Sequence, residues 1–176
     1  PSAMKNKTLI IGLGNPILGD DGVGWKVAEQ VKQRIESDAR YHMPMRPLQS
    51  KIIQRIPSAE VDCAALGGLS LMERLVGYQR VILVDSMETG QSPEGSVSVF
   101  PLEALTNPSA GHSTAIHDTS LMTALEMGRK MGMDLPAAVT VVAVEAKNVY
   151  DFSEELSPAV AAAVPVAVQA VLDELK

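Results

Sequence analysis

The chain has 176 residues, a hydrophobic share of 46% and a formal net charge of −6, so it is long enough to bury the core of one domain. The acidic balance disfavours a nucleic-acid partner, because binding to phosphates requires clustered lysine and arginine. Cys63 is the only cysteine, which excludes an internal disulfide and favours a reducing compartment, the cytoplasm. No apolar run is long enough to cross a bilayer, and we expect no membrane association.

Strand-like and helix-like segments alternate along the chain. The apolar run Thr8–Leu13 predicts a buried strand, and the spacing of Val23, Val27, Val31 and Ile35 predicts a helix after it. The later predicted strands are either Lys51–Ile56 or Glu60–Ala65, then Arg80–Val84, Ser96–Phe100 at an edge, and Ala138–Val144. The later predicted helices are Leu69–Val76, Asp118–Met131 and a last helix from Pro158, which Pro165 should kink or restart.

This alternation predicts an α/β fold. We expect a single-domain three-layer αβα sandwich over residues 1–176, with a mainly parallel, twisted sheet of about five strands. Residues 1–6 are expected to be disordered or left over from an expression vector.

The segment from Ile10 to Gly24 carries the most specific chemical signal. Glycine and proline end the first strand, and Asp20 and Asp21 then stand where the chain should turn into a helix. Adjacent carboxylates would repel a phosphate group, whereas they suit a divalent metal. The alternative is that one of the two aspartates only caps the helix that begins at Val23.

Acidic residues are predicted to meet at one edge of the sheet, because ligands of such sheets bind beyond the carboxyl ends of the strands. Asp85 and Glu145 each close a predicted strand, and His117 lies just before a predicted helix. Asp21, Asp85 and His117 together suit zinc or nickel with coordination positions left open for a substrate. An open metal can polarise a carbonyl or lower the pKa of a water, so the set favours hydrolysis.

Other candidate residues carry weaker signals. His112 lies five residues before His117, and the proximity of two histidines to Asp118 favours a metal or acid–base role, although a lone loop histidine is usually solvated. His42 lies in a polar loop and is expected to face solvent. Cys63 has no adjacent basic residue, which favours a small buried side chain over a nucleophile.

The sequence from Ile11 to Gly24 reads IGLGNPILGDDGVG and resembles the opening signature of the nickel–iron hydrogenase maturation proteases. Asp85, after an apolar strand, is similar to the second acidic position of that family, and His117 is similar to its histidine. The segment from Phe152 to Pro158 and the final helix, rich in alanine and valine, also resemble the family. The similarity therefore covers nearly the whole chain.

The resemblance implies a metal-dependent endopeptidase that removes the C-terminal extension of a hydrogenase large-subunit precursor after nickel insertion. Asp21, Asp85 and His117 would be its metal-contacting and catalytic residues, with no separate cofactor site. The precursor's own metal centre would supply the nickel, and zinc or a similar divalent ion could replace it in vitro. The precursor is then the partner, and we expect a monomer in the cytoplasm.

Two departures from the family pattern limit what is carried over. Many members have glutamate where this chain has Asp21, and aspartate is one methylene shorter but can still bind a metal. Many members also have a Gly-Gly-Thr loop after the second strand, whereas the segment from Asp62 to Leu69 contains no threonine. Any role of that loop in other members is therefore not assigned to this chain.

Two other functions share part of the pattern. Peptidyl-tRNA hydrolases also begin with Gly-Leu-Gly-Asn-Pro, but they continue differently from Gly19-Asp20-Asp21-Gly22, and the acidic charge disfavours tRNA. A non-catalytic nickel-binding or nucleotide-binding module is the other alternative. A dinucleotide site, however, requires a third glycine where Ile17 stands.

Overall fold

The computed structural model describes residues 7–38, 59–106 and 116–176, with the backbone alone for Thr106 and residues 116–120. The strands in these ranges are β1 (Thr8–Leu13), β2 (Ala59–Ala64), β3 (Arg80–Met87), β4 (Val97–Pro101) and β5 (Ala138–Glu145). The α-helices are α1 (Val23–Ser37), α2 (Gly68–Arg74), α3 (Ile116–Lys130) and α4 (Pro158–Glu174). Short 3-10 helices span Gly19–Gly22 and Leu102–Thr106.

The strands form one five-stranded sheet in the order β2-β1-β3-β5-β4. β2, β1, β3 and β5 are parallel, and β4 pairs antiparallel with β5 at the edge, so the predicted mainly parallel sheet is confirmed. From β1 the chain moves to β2 on one side and then returns to β3 on the other side. The strand order therefore reverses between β1 and β3, and ligands of open α/β sheets bind at such a reversal.

Helices cover both faces of the sheet, as predicted. α2 and α3 pack on one face against alternate residues of β1, β3 and β5, while α1 and α4 pack on the other. The valines predicted to face inward from α1 and the leucines predicted to face inward from α3 are buried. They are Val23, Val27, Val31, Leu121 and Leu125.

α1 lies unusually close to the sheet because of its glycine. A Cβ at Gly24 would meet the carbonyl oxygens of Leu13 and Val84, so only glycine allows the helix to pack at this distance. The start of α1 is thereby fixed against the ends of β1 and β3, which is the edge where the acidic residues were expected.

Several boundaries differ from the predictions. The second strand is the Glu60–Ala65 candidate, while Lys51–Ile56 and residues 1–6 lie outside the described residues. β3 continues beyond Val84 to Met87. α3 already begins at Ile116, so His117 is part of the helix and does not precede it.

The last helix also differs from the prediction. α4 runs without interruption from Pro158 to Glu174, so Pro165 does not restart it. Buried residues on either side of the proline, including Val164 and Ala167, hold both halves against the sheet. Across the described parts of the chain, no helix has the length and hydropathy of a membrane span.

Candidate active site

The loop after β1 brings Asp21 back towards the end of that strand. Gly14 has a φ of +112°, and a Cβ there would overlap the carbonyl oxygen of Asp21. The backbone N–H of Asn15 donates to Asp21 Oδ2 at 2.6 Å, while Asn15 Oδ1 accepts from the N–H of Ile17 at 3.2 Å. The glycine and this turn therefore fix the orientation of the Asp21 carboxylate.

Ser86 joins Asp21 to Asp85. Its hydroxyl donates to Asp21 Oδ1 at 3.2 Å, and its backbone N–H donates to Asp85 Oδ1 at 2.8 Å. Asp85 is buried, with 4% of its surface exposed. The structure thus brings together carboxylates from two separate segments at the reversal in strand order. Ser86 was missed because the predicted strand ended at Val84, and a polar residue after Asp85 was the only signal available.

Asp20 has a different role from Asp21. Neither aspartate caps α1, because Gly22 occupies the N-cap position and no side chain bonds there. The capping interpretation was therefore wrong. Asp20 is fully buried, and its Oδ1 accepts from the backbone N–H of Ser157 at 2.7 Å. Its Oδ2 has no hydrogen-bond partner in the described part of the chain. Asp20 therefore ties the loop to the start of α4.

Glu145 lies at the predicted edge of the sheet, but its carboxylate binds the loop that follows β3. Its carboxylate accepts from the N–H of Thr89 at 2.9 Å, the hydroxyl of Thr89 at 2.7 Å and the N–H of Gly90 at 2.8 Å. These three bonds stabilise the turn between β3 and β4. The hydrogen bonds described for the Glu145 carboxylate are thus with the turn, and none is with Asp21 or Asp85.

His117 is the second residue of α3, and this helix covers the face of the sheet to which Asp85 belongs. Leu83 and Met87, two residues either side of Asp85, both pack in the core beneath α2 and α3. The structure describes the backbone of His117 but not its side chain. His42 and His112 lie outside the described residues. Among the side chains that are described, no group of three His, Cys, Asp or Glu residues could hold a metal ion.

Cys63 is half-buried in β2, the edge strand next to β1. Burial raises the pKa of its thiol to about 11, and the nearby carboxylates of Glu29 and Asp62 act in the same direction. The thiolate is the nucleophilic form, so this cysteine stays protonated and unreactive at neutral pH.

An open groove lies beside Asp85, and it is continuous with solvent. It runs along the β5–β4 side of the same sheet face, because Ala143, which lines it, pairs in register with Asp85. Its lining mixes apolar and hydroxyl side chains: Met87, Thr89, Gln91, Ser92, Ser96, Ser98, Phe100, Ala143 and Glu145. The groove therefore opens on the same face of the sheet as Asp85.

Comparison with known proteins identifies the family. The HycI model, described as hydrogenase maturation protease, matches residues 60–174, well over half of the chain. The chain belongs to the hydrogenase maturation protease family. It is a hydrogenase maturation endopeptidase that cleaves the C-terminus of the large subunit. The matched range includes Asp85 and His117 but starts after Asp21, so the opening motif is a separate sequence signal.

Solved structures of maturation proteases share the fold. The chain is 20% identical to the [NiFe] hydrogenase maturation protease HybD from Thermococcus kodakarensis, with 97% of this chain and 99% of that one covered and a TM-score of 0.69. Endopeptidase HybD from E. coli is 20% identical over 96% of this chain and 91% of that one, with a TM-score of 0.66.

A hydrogenase 2 maturation peptidase from Thaumarchaeota archaeon SCGC_AB-539-E09 is 27% identical to the chain. The alignment covers 96% of this chain and 97% of that one, with a TM-score of 0.55. No curated protein sequence matches the chain.

Proposed function

We propose that Asp21, Asp85 and His117 form the catalytic site at which this protease removes the C-terminal extension of a nickel–iron large-subunit precursor, after nickel has been inserted. The observation that carries the proposal is the position of Ser86, which is hydrogen-bonded to both carboxylates. These bonds link two acidic side chains through one residue at the reversal in strand order, where α/β sheets bind their ligands.

The nickel is part of the substrate in this proposal. Carboxylate and imidazole groups are suitable ligands for nickel, and two carboxylates with one histidine leave coordination positions for groups of the precursor. Bound nickel would polarise the carbonyl of the scissile bond or lower the pKa of a water. A precursor without nickel would then leave the ligand set incomplete, so we expect selectivity for the loaded form.

The residues around the site orient these ligands. Asn15 and Ser86 each donate one hydrogen bond to Asp21, and each carboxylate oxygen has a second lone pair that remains available for a ligand. The attacking group is a water, because the thiol of Cys63 stays protonated. The groove beside Asp85 receives the segment next to the scissile bond. The enzyme acts as a monomer in the cytoplasm, where a lone cysteine remains reduced.

The experiment is a time course of tail release from a purified nickel-loaded precursor, followed by mass spectrometry. We expect Asp85→Asn to slow tail release more than 100-fold, because substituting even the supporting neighbours of metal ligands costs 10- to 100-fold. Asp62→Asn is the matched control. Asp62 is also an aspartate in a parallel strand, but its carboxylate binds Arg74. Asp62→Asn should process the precursor at the wild-type rate.

The same assay tests the histidine assignment. His117 belongs to a packed helix, so its loss should abolish processing, whereas His112→Ala should only weaken it. Circular dichroism confirms that each variant is folded. Wild-type rates for Asp85→Asn, or an inactive His112→Ala beside an active His117→Ala, would overturn the assignment of these residues.

A further inference from the structure

A group of apolar side chains is exposed around the proposed site. It consists of Ile17, Leu66, Leu69, Tyr150 and Phe152, which we call the rim patch. Ile17, Tyr150 and Phe152 lie in the loops after β1 and β5, while Leu66 lies between β2 and α2 and Leu69 is in the first turn of α2. Parallel strands end at one edge of the sheet, so all these loops follow the strands at the edge where Asp21 and Asp85 meet.

The aromatic members are the most unusual. The chain has only six aromatic residues, namely one Trp, three Tyr and two Phe. Tyr150 and Phe152 lie in one loop and are 79% and 85% exposed. Aromatic side chains are enriched in protein–protein interfaces, where each can bury 150–250 Å². Two such side chains, exposed in the described part of the chain, therefore favour a contact with a partner.

Hydrogen bonds connect the aromatic loop to the loop that carries Asp21. The N–H of Ser153 donates to the carbonyl oxygen of Ile17 at 3.1 Å, and the N–H of Gly19 donates to the carbonyl oxygen of Ser153 at 2.7 Å. Phe152 is thus adjacent to Ser153, which is hydrogen-bonded to the loop that carries Asp21. A protein bound to the rim patch would be held at a fixed position relative to Asp21.

Charge defines the kind of surface that fits. Asp151, Glu154 and Glu155 are exposed in the same loop as the two aromatic side chains. An apolar surface bordered by lysine or arginine would bury the aromatic rings and complement these carboxylates.

We propose that the rim patch is the surface on which the folded body of the large-subunit precursor docks, through an apolar area bordered by basic residues. This inference rests on the proposed function, because it takes the precursor as the partner. The patch borders the site and does not touch the scissile bond. Docking the body at the patch would bring the metal centre and the tail to Asp21 and Asp85, so recognition depends on more than the sequence of the tail.

The test measures the affinity of the nickel-loaded precursor for variants made in the Asp85→Asn background, so that binding is read without cleavage. We expect Tyr150→Ser/Phe152→Ser to raise Kd at least tenfold, because truncated aromatic anchors commonly cost this much. Met131→Ser is the control. Met131 is 76% exposed but follows α3 at the opposite edge, before the start of β5. It should bind as the parent does.

A Kd within twofold of the parent for the double variant, or an equal loss in Met131→Ser, overturns the docking surface. Sedimentation that shows a dimer of this chain held by the patch overturns it as well. The proposed function fails separately, through continued cleavage of the precursor by Asp85→Asn. The two failures are distinguishable, because the first is read as an unchanged Kd and the second as cleaved product.

Discussion

Ser86 and Asp20 illustrate two ways in which a side chain can support the site without belonging to the predicted set of ligands. Ser86 lies between the carboxylates and bonds to both of them. Asp20 instead accepts a hydrogen bond from the backbone N–H of Ser157, just before α4. The adjacent aspartates therefore differ in role. Asp21 belongs to the candidate site, whereas Asp20 connects the loop of that site to the start of α4.

Asp20→Ala should lower the free energy of unfolding by about 1–3 kcal/mol, because it leaves the partly buried N–H of Ser157 without its acceptor. Asp20→Asn keeps an oxygen at that position and should cost less. Urea denaturation followed by circular dichroism measures both values. An Ala variant as stable as the wild type would show that the bond contributes nothing to stability.

The sequence could predict the positions of these residues but not their partners. Asp21 and Asp85 were placed at one edge because each follows or ends an apolar strand, which is a local signal combined with a general rule for parallel sheets. The bond from Ser157 to Asp20 joins residues 137 positions apart, and nothing near Asp20 indicates it. An aspartate before a helix has the pattern of a cap, and tertiary structure overrode that pattern.

At the scale of elements, apolar periodicity located the helices and parallel strands to within a few residues. The errors lie at the ends. β3 continues through Asp85 and Ser86 because it pairs with β5 as far as Glu145, and pairing with a neighbouring strand is not visible in the sequence of β3 alone. Pro165 was expected to kink or restart α4, but buried side chains on both sides keep the helix continuous.

Because α4 is continuous, Pro165 lies inside a helix, where a proline lowers the stability of the folded protein. Proline has no N–H to donate to the carbonyl of Ala161, and Pro165 itself is exposed, so its ring adds little packing. Pro165→Ala should stabilise the protein by about 1–3 kcal/mol, from the proline penalty in a helix less its entropic benefit in the unfolded chain. Thermal denaturation gives the value. Pro165→Gly should be less stable than Pro165→Ala by about 1 kcal/mol, and an Ala variant that melts below the wild type would contradict the argument.

At the scale of the molecule, the sheet has an apolar core on each of its two faces, and its strands contribute side chains to both cores. One layer contains α2 and α3, and the other contains α1 and α4. Each strand contributes residues to both layers, so the loss of one layer would expose the sheet core of the other. If the chain is a single domain, as predicted, we expect both layers to unfold together in one cooperative transition.

The chain should unfold in one transition. Trp25, the only tryptophan, reports on α1 through its fluorescence, while far-UV circular dichroism reports on all helices and strands. We expect the two signals to give the same urea midpoint within error, as they do for a two-state domain. Separate midpoints would show that the α1–α4 layer and the α2–α3 layer unfold independently.

The ties between the Asp21 loop and the segment after β5 have a consequence for synthesis. Asn148, Ser153 and Ser157 supply the bonds that hold residues 19 and 20 in place, and the ribosome makes them long after the loop itself. A nascent chain that already carries both proposed catalytic aspartates therefore lacks the supports that position the loop of one of them. With the proposed site residues, we expect proteolytic competence only after the chain has been translated through Ser157 and has folded back onto the loop after β1.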